Sequence, residues 1–278
     1  MSYLVVCSDL DGTLLDSDTY SFDSACPALV ALRARAIPLI LVSSKTRAEI
    51  EPLRARLGQQ HPFSTENGGA VFIPKEYFPV PPVYAAVRGP YLVVEFGVSY
   101  DRLRVALKEL EQRAGCELRG FGDMSVEEIA ERTSLPLSDA MLAKQREYDE
   151  PFVVVGPASL TGKLQQDAEA RGFQCIRGGR FLHLMGRTDK GRACRYLFEC
   201  YRQAHRDLFT VGLGDSLNDL PLLAAVDQPI LLPQADGNYE PSIRFPNLIR
   251  AAGKGPIGWN QAVLGCLQAS GPHLTTPE

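Results

Sequence analysis

Apolar positions in the first quarter of the chain alternate between short continuous runs and helical spacing. Tyr3-Leu4-Val5-Val6-Cys7 is too short a run for a helix, so residues 3–8 read as a buried strand. Phe22, Cys26, Leu29 and Val30 then recur at helical spacing. Ile37-Pro38-Leu39-Ile40-Leu41-Val42 is a second buried strand. Ser43-Ser44-Lys45 follows it, and Thr46-x-x-Glu49 has the form of a capping box opening a helix. Pro52 falls inside that helix and puts its start or straightness in question. Phe63 to Ile73, interrupted by Asn67-Gly68-Gly69, reads as a turn between two extended segments.

The rhythm breaks over residues 75–90, rich in proline and aromatic residues, which read as a linker. Beyond it Tyr91–Phe96 is a strand, and Ser99 to Ala114 a helix with Leu103, Leu107 and Leu110 inward. Ser125-x-x-Glu128 opens another helix, Phe152–Val155 is a strand, and Leu160 to Arg171 is helical. Phe173–Arg177 and Phe181–Met185 flank Gly178-Gly179-Arg180 like a hairpin. This order predicts an antiparallel sheet with helices on one face. From about residue 187 the strand–helix alternation returns: helix 190–205, strand 208–213, short helix 218–224, strand 230–232 and closing helix 259–267. The expected fold is α/β: a doubly wound parallel-sheet, Rossmann-like core (1–85 and 187–278) with an inserted α+β cap (86–186). The tail from Gly271 is expected to fray.

Composition narrows the function. The 278 residues are 45% hydrophobic, enough for a substantial core. A formal net charge of -4 with no basic tract argues against a nucleic-acid partner. No apolar stretch of about 18 residues is present, so no membrane span is expected. The N-terminus lacks a basic region followed by an apolar one, and a cytoplasmic location is expected. Seven scattered cysteines without a C-x-x-C pair fit reduced thiols. Cys7 beside the first acidic motif reads as a strand residue, since nearby carboxylates disfavour its thiolate.

Candidate chemistry lies just past the predicted strand ends. Asp9-Leu10-Asp11-Gly12-Thr13 follows the first strand, Ser43 the second, and Gly214-Asp215-Ser216-Leu217-Asn218-Asp219 a later one; Asp189-Lys190-Gly191 opens a helix. Each alone has a plain reading: a solvated turn, a helix cap, a surface cation. Together they place acids from distant segments on one rim, because ligands of such sheets bind beyond the strands' carboxyl ends. Two carboxylates about 4 Å apart repel by roughly 4 kcal/mol at an effective dielectric near 20. Mg²⁺ relieves this and prefers oxygen ligands, whereas no His or Cys adjoins these acids to favour zinc. Beside such an ion Asp9 can act as nucleophile on a phosphoryl group, and Asp11 as acid and base. Lys190 and the Ser43 hydroxyl can hold the phosphoryl oxygens.

These four segments resemble the signatures of the haloacid dehalogenase superfamily of phosphatases, and the insertion resembles its type 2B α/β cap. The resemblance implies Mg²⁺ held by Asp9, the Asp11 backbone carbonyl and Asp215, with Asp219 ordering the metal's waters. Narrower blocks resemble the mannosyl-3-phosphoglycerate phosphatase family: Val42-Ser43-Ser44-Lys45-Thr46-Arg47, Glu66-Asn67-Gly68-Gly69, Arg146-Glu147-Tyr148-Asp149-Glu150 and Gly178-Gly179-Arg180-Phe181-Leu182-His183. Many relatives in the wider cap class carry Thr-Gly-Arg where this chain has Ser43-Ser44-Lys45, which favours the phosphoglycerate branch. The implied reaction is hydrolysis of a mannosyl- or glucosyl-3-phosphoglycerate through an aspartyl-phosphate. Its carboxylate calls for basic residues, and Arg pairs a carboxylate with two parallel bonds. Ser44, Lys45, Asn67, Arg146, Arg180, His183 and Asn218 are the expected substrate contacts. For Arg146 the alternative is an exposed pair with Glu150. A sucrose-phosphate or hexose-phosphate phosphatase, a phosphomutase and a non-enzymatic phospho-sugar sensor are the competing readings. Gly156 to Leu164 resembles a nucleotide P-loop but is one residue too long and has Leu164 where Ser or Thr is needed. Gln234 to Phe245 matches no known pattern.

Overall fold

In a computed structural model, which describes residues 2–156, 160–178 and 180–269, the chain forms two sheets. Strands β1 (Tyr3–Ser8), β2 (Leu39–Val42) and β3 (Phe63–Thr65) run parallel, linked by α1 (Cys26–Ala34) and α2 (Arg47–Leu57). β4 (Ala70–Pro74) doubles back against β3, and β5 (Ala86–Arg88) and β6 (Tyr91–Glu95) complete that antiparallel edge. The second sheet then follows: α3 (Tyr100–Ala114), β7 (Glu117–Gly120), α4 (Val126–Thr133), α5 (Leu137–Ala143), β8 (Asp149–Val155), α6 (Leu160–Ala170), β9 (Phe173–Gly178) and β10 (Phe181–Gly186). The chain returns through α7 (Lys190–Ala204), β11 (Leu208–Gly214), α8 (Leu220–Leu223), β12 (Gln228–Leu231), β13 (Ile249–Arg250) and α9 (Gly255–Ala269).

Across the large sheet the order is β13-β12-β11-β1-β2-β3-β4-β6-β5. Alternation along β1 explains the two covered faces. Leu4 and Val6 point into a core with Leu29 and Leu32 of α1, Ile50 and Leu53 of α2, and Trp259 of α9. Val5 and Cys7 point to the other side, against Cys194, Leu197 and Phe198 of α7. The second sheet, ordered β7-β8-β10-β9, is antiparallel throughout.

Three sequence expectations change. The supposed linker contains β5, and residues 86–95 pair on the large sheet, so the change of sheet comes after residue 95 rather than at 86. Cross-strand pairing decides this, as Leu92 and Val93 bond between β4 and β5. The helices of the second sheet cover both faces. α3 and α6 pack with Phe152 and Leu182, while α4 and α5 share a cluster with Val153 and Phe181 on the opposite side. On α1, Cys26 and Val30 are exposed, and Ala28, Leu29 and Leu32 form the buried face. The capping box at Thr46 is complete as expected, and α2 runs from Arg47 through Pro52. The tail from Gly271 and Gly179 of the hairpin turn lie outside the described residues.

The turn after β3 approaches the segment that leads into α7 closely. Gly68 has φ +87°, and a Cβ there would sit 2.1 Å from the Asp189 carbonyl oxygen. Thr188 Oγ1 donates to the Gly68 carbonyl at 2.7 Å, so this turn seats the segment leading into α7. Gly68→Ala combines a left-handed backbone with a clash that no rotamer relieves, and is expected to cost about 3 kcal/mol. The check is a denaturant midpoint shift at constant m-value; a wild-type midpoint contradicts it.

Candidate active site

Three loops leave the carboxyl ends of adjacent strands: 9–11 from β1, 43–45 from β2 and 215–219 from β11. Crossovers leave β1 in opposite directions on its two sides, which opens a crevice there. Asp9 N–H donates to the Leu213 carbonyl at 2.9 Å, fixing the first loop beside β11. Buried Trp259 donates through Nε1 to Ser8 Oγ at 2.9 Å, and Ser8 Oγ donates to the Asp9 carbonyl at 2.6 Å. Gly12, at φ +75°, lets the first and third loops meet: a Cβ there would lie 2.8 Å from Asp215 Oδ2.

One oxygen from each of Asp9, Asp215 and Asp219 lies within 4.8 Å of the others. Lys190, the first residue of α7, is fully buried among them. Its Nζ donates to Asp9 Oδ1 at 2.5 Å and Asp219 Oδ1 at 2.6 Å. Asp219 Oδ2 accepts from the N–H groups of Asp215 (3.0 Å) and Ser216 (3.1 Å) and from the Ser216 hydroxyl (3.3 Å). Both Asp219 oxygens are therefore engaged in bracing Lys190 and the loop. Burial pushes Asp9 well above the usual carboxylate range, and Asp219 and Asp215 add to it against the opposing Lys190 charge. Asp215 is pushed up to about 7 by burial and by Asp219. Burial alone would drive Lys190 towards neutrality, but Asp219 and Asp9 outweigh it and hold the ammonium charged. Three acids against one lysine leave an excess of negative charge in an all-oxygen donor set, which suits a hard divalent cation.

The Asp11 carboxylate turns away from this group. It pairs with Lys45 Nζ at 3.1 Å, and Lys45 also meets Glu49 at 3.6 Å and lies 5.1 Å from the Tyr20 ring centroid. The Ser43 hydroxyl, almost fully buried, accepts from Lys45 N–H at 3.1 Å. From Asp11 and Lys45 a cavity of about 270 Å³ opens towards the second sheet. Ser44, Lys45, Arg146, Arg180 and His183 line it, together with Tyr20, Glu49, Phe121 and Phe181. Arg146 is buried and does not pair with Glu150, which binds Arg104 at 2.6 Å instead. Arg146 donates to the Ser44 carbonyl at 3.0 Å and sits 3.7 Å from Asp149. His183 Nδ1 is 2.7 Å from Asp149 Oδ2, and Arg180 donates to the Arg132 carbonyl at 2.8 Å. Asn67 and Asn218 lie outside this cavity and bond each other at 3.2 Å.

The family model of haloacid dehalogenase-like hydrolases matches residues 6–78. A protein of Methanococcoides burtonii named glucosyl-3-phosphoglycerate/mannosyl-3-phosphoglycerate phosphatase is 46% identical over 94% of this chain and 96% of its own length. The chain belongs to the haloacid dehalogenase-like hydrolases. It is a phosphoric monoester hydrolase. The mannosyl-3-phosphoglycerate phosphatase of Pyrococcus furiosus is 37% identical over 82% of this chain and 90% of that one. The crystal structure of Thermoplasma acidophilum 0175 matches the fold with a TM-score of 0.69 at 19% identity, over 95% of this chain and 98% of that one.

In this haloacid dehalogenase-like hydrolase several neighbours of the site were not legible in the sequence. Tyr20 reaches the cavity from a loop in which it adopts φ +55°, and no local signal marks it. Asp149 lies inside the block Arg146–Glu150, but its pairing with His183 comes from the register of β8 and β10. Lys190→Met leaves two buried carboxylates without their cation and is expected to destabilise the metal-free protein by about 3–5 kcal/mol. Adding Asp219→Asn should recover part of that loss in denaturant titrations. A double variant no more stable than the single one contradicts Lys190 as the electrostatic keystone.

Proposed function

We propose that this chain is a Mg²⁺-dependent phosphatase of the cytoplasm that hydrolyses glucosyl- or mannosyl-3-phosphoglycerate to the glycosylglycerate and phosphate. The reading rests on one adjacency: Asp11, two residues beyond Asp9 of the carboxylate–Lys190 cluster, pairs with Lys45, and both line a cavity shared with Arg146, Arg180 and His183. A phosphate bound at the cluster would leave the glycerate carboxylate among those cations. The names of relatives matched along nearly the whole chain support the same substrate class.

Asp9, Asp215 and the Asp11 backbone carbonyl would hold Mg²⁺, with Asp219 behind them. The bound ion supplies charge neutralisation for the phosphate and its carboxylate surroundings. The Asp9 carboxylate attacks phosphorus, the bond to the ester oxygen breaks, and Asp11 gives that oxygen its proton. Asp11 then takes a proton from the water that cleaves the acyl phosphate. Lys190 and the Ser43 hydroxyl meet the phosphoryl oxygens. Ser44, Lys45, Arg146, Arg180 and His183 meet the rest of the substrate, and the Asn67–Asn218 bond steadies the loop carrying Asp215. The cap excludes water while the acyl phosphate forms.

A panel of phosphorylated sugars decides the substrate. Phosphate release with Mg²⁺ is expected for the two glycosyl-3-phosphoglycerates well above sugar monophosphates, and a chelator should abolish it. Comparable turnover of unrelated sugar monophosphates would remove the assignment. Asp9→Asn should lower turnover by about a thousandfold or more while leaving the fold intact; near-wild-type turnover would refute Asp9 as nucleophile.

A further inference from the structure

We propose that Glu66 is a positioning residue for substrate, fixing residues 146–149 of the inserted unit over the cavity. Glu66 belongs to the turn after β3, on the large sheet, and is fully buried. Its Oε1 accepts from the Glu147 N–H at 3.0 Å. Its Oε2 accepts from the Glu147 N–H at 3.2 Å and the Tyr148 N–H at 2.8 Å. Among the described residues these are its side-chain hydrogen bonds, and its carboxylate forms no ion pair. Burying a carboxylate on backbone amides alone is costly. Burial pushes it up to about 8, against the opposing charge of nearby Arg146.

The two amides it holds lie between two side chains that shape the cavity. Arg146 precedes them, lines the cavity and reaches the Ser44 carbonyl. Asp149 follows them and orients cavity-lining His183. A shift of this segment moves both together, while Asp9, Lys190 and Asp219 stay on the large sheet. Other ties cross the same seam, from Thr46 Oγ1 to the Leu142 carbonyl at 3.0 Å and from Arg47 to Glu147 at 3.0 Å. Of these ties Glu66 is the one that accepts from two successive backbone N–H groups, those between Arg146 and Asp149. Its loss should therefore weaken recognition of the substrate's non-phosphate part and spare the chemistry at the cluster.

This inference rests on the function proposed above, and the test separates the two. Glu66→Met keeps volume and removes both acceptors. Glu66→Gln keeps one oxygen, which at the Oε2 position serves both N–H groups. In the Met variant, KM for glucosyl-3-phosphoglycerate should rise about tenfold or more with kcat changed less than about threefold. Its kcat/KM on p-nitrophenyl phosphate, which has neither carboxylate nor sugar, should match wild type, and the Gln variant should restore KM. An unchanged KM, or equal losses on both esters, overturns the inference. Wild-type enzyme inactive on the glycosyl ester overturns the function instead, and the same split is then read on the phosphorylated sugar it hydrolyses best. Should the Met variant not fold, hydrogen exchange of wild-type protein decides. Glu147 and Tyr148 amides as protected as those in the middle of β8 support the grip, and exchange at exposed-loop rates overturns it.

Discussion

A buried lysine between two buried carboxylates governs this molecule. Lys190 is fully buried, and Asp9 and Asp219 hold its proton in place. Removing one member of such a set strands the others, because their hydration has already been given up. The three residues come from a loop after β1, the start of α7 and a loop after β11. The parallel order of the large sheet, with β1 beside β11, is what brings them within bonding distance. Fold and electrostatics thus depend on each other. The sheet delivers the acids, and the lysine makes their company tolerable.

Around that keystone the charges separate into two regions. Acids dominate at the strand ends, where one oxygen from each of Asp9, Asp215 and Asp219 lies within 4.8 Å of the others. Cations dominate across the cavity, on the second sheet and the loop after β2. Asp11 and Lys45 stand at the border and neutralise each other. A substrate bearing a phosphate at one end and a carboxylate nearby matches this layout, and a neutral sugar phosphate matches half of it. The seam between the sheets is itself polar, with Glu66 gripping backbone amides and Arg146 reaching a backbone carbonyl. Such bonds are directional, so they set the register of the cavity walls as apolar packing alone does not.

Elements with a continuous apolar run or a cap signal were legible. β1, β2, β11, the capping box of α2 and the inward leucines of α3 all stand where the pattern put them. Elements whose identity comes from partners were not. β5 is three exposed residues that become a strand by pairing with β6, and β13 is two residues doing the same with β12. α5 carries alanines on its buried side, too weak a signal to stand out from a loop. The face of α1 was misread for a related reason: the contact with α9 buries Ala28 and leaves Val30 in water.

By itself the sequence determined which residue types could do phosphoryl chemistry and that they follow strand ends, because strand runs and short polar motifs are local properties of the chain. It also determined the capping box and the alternating order that implies a parallel sheet. The tertiary structure alone decided that Asp11 turns to Lys45, that Arg146 is buried against a carbonyl rather than exposed beside Glu150, and that Glu66 holds the inserted unit. Each of those depends on groups that are distant in sequence and meet only once the sheets are stacked. A single chain read residue by residue carries no term for such meetings.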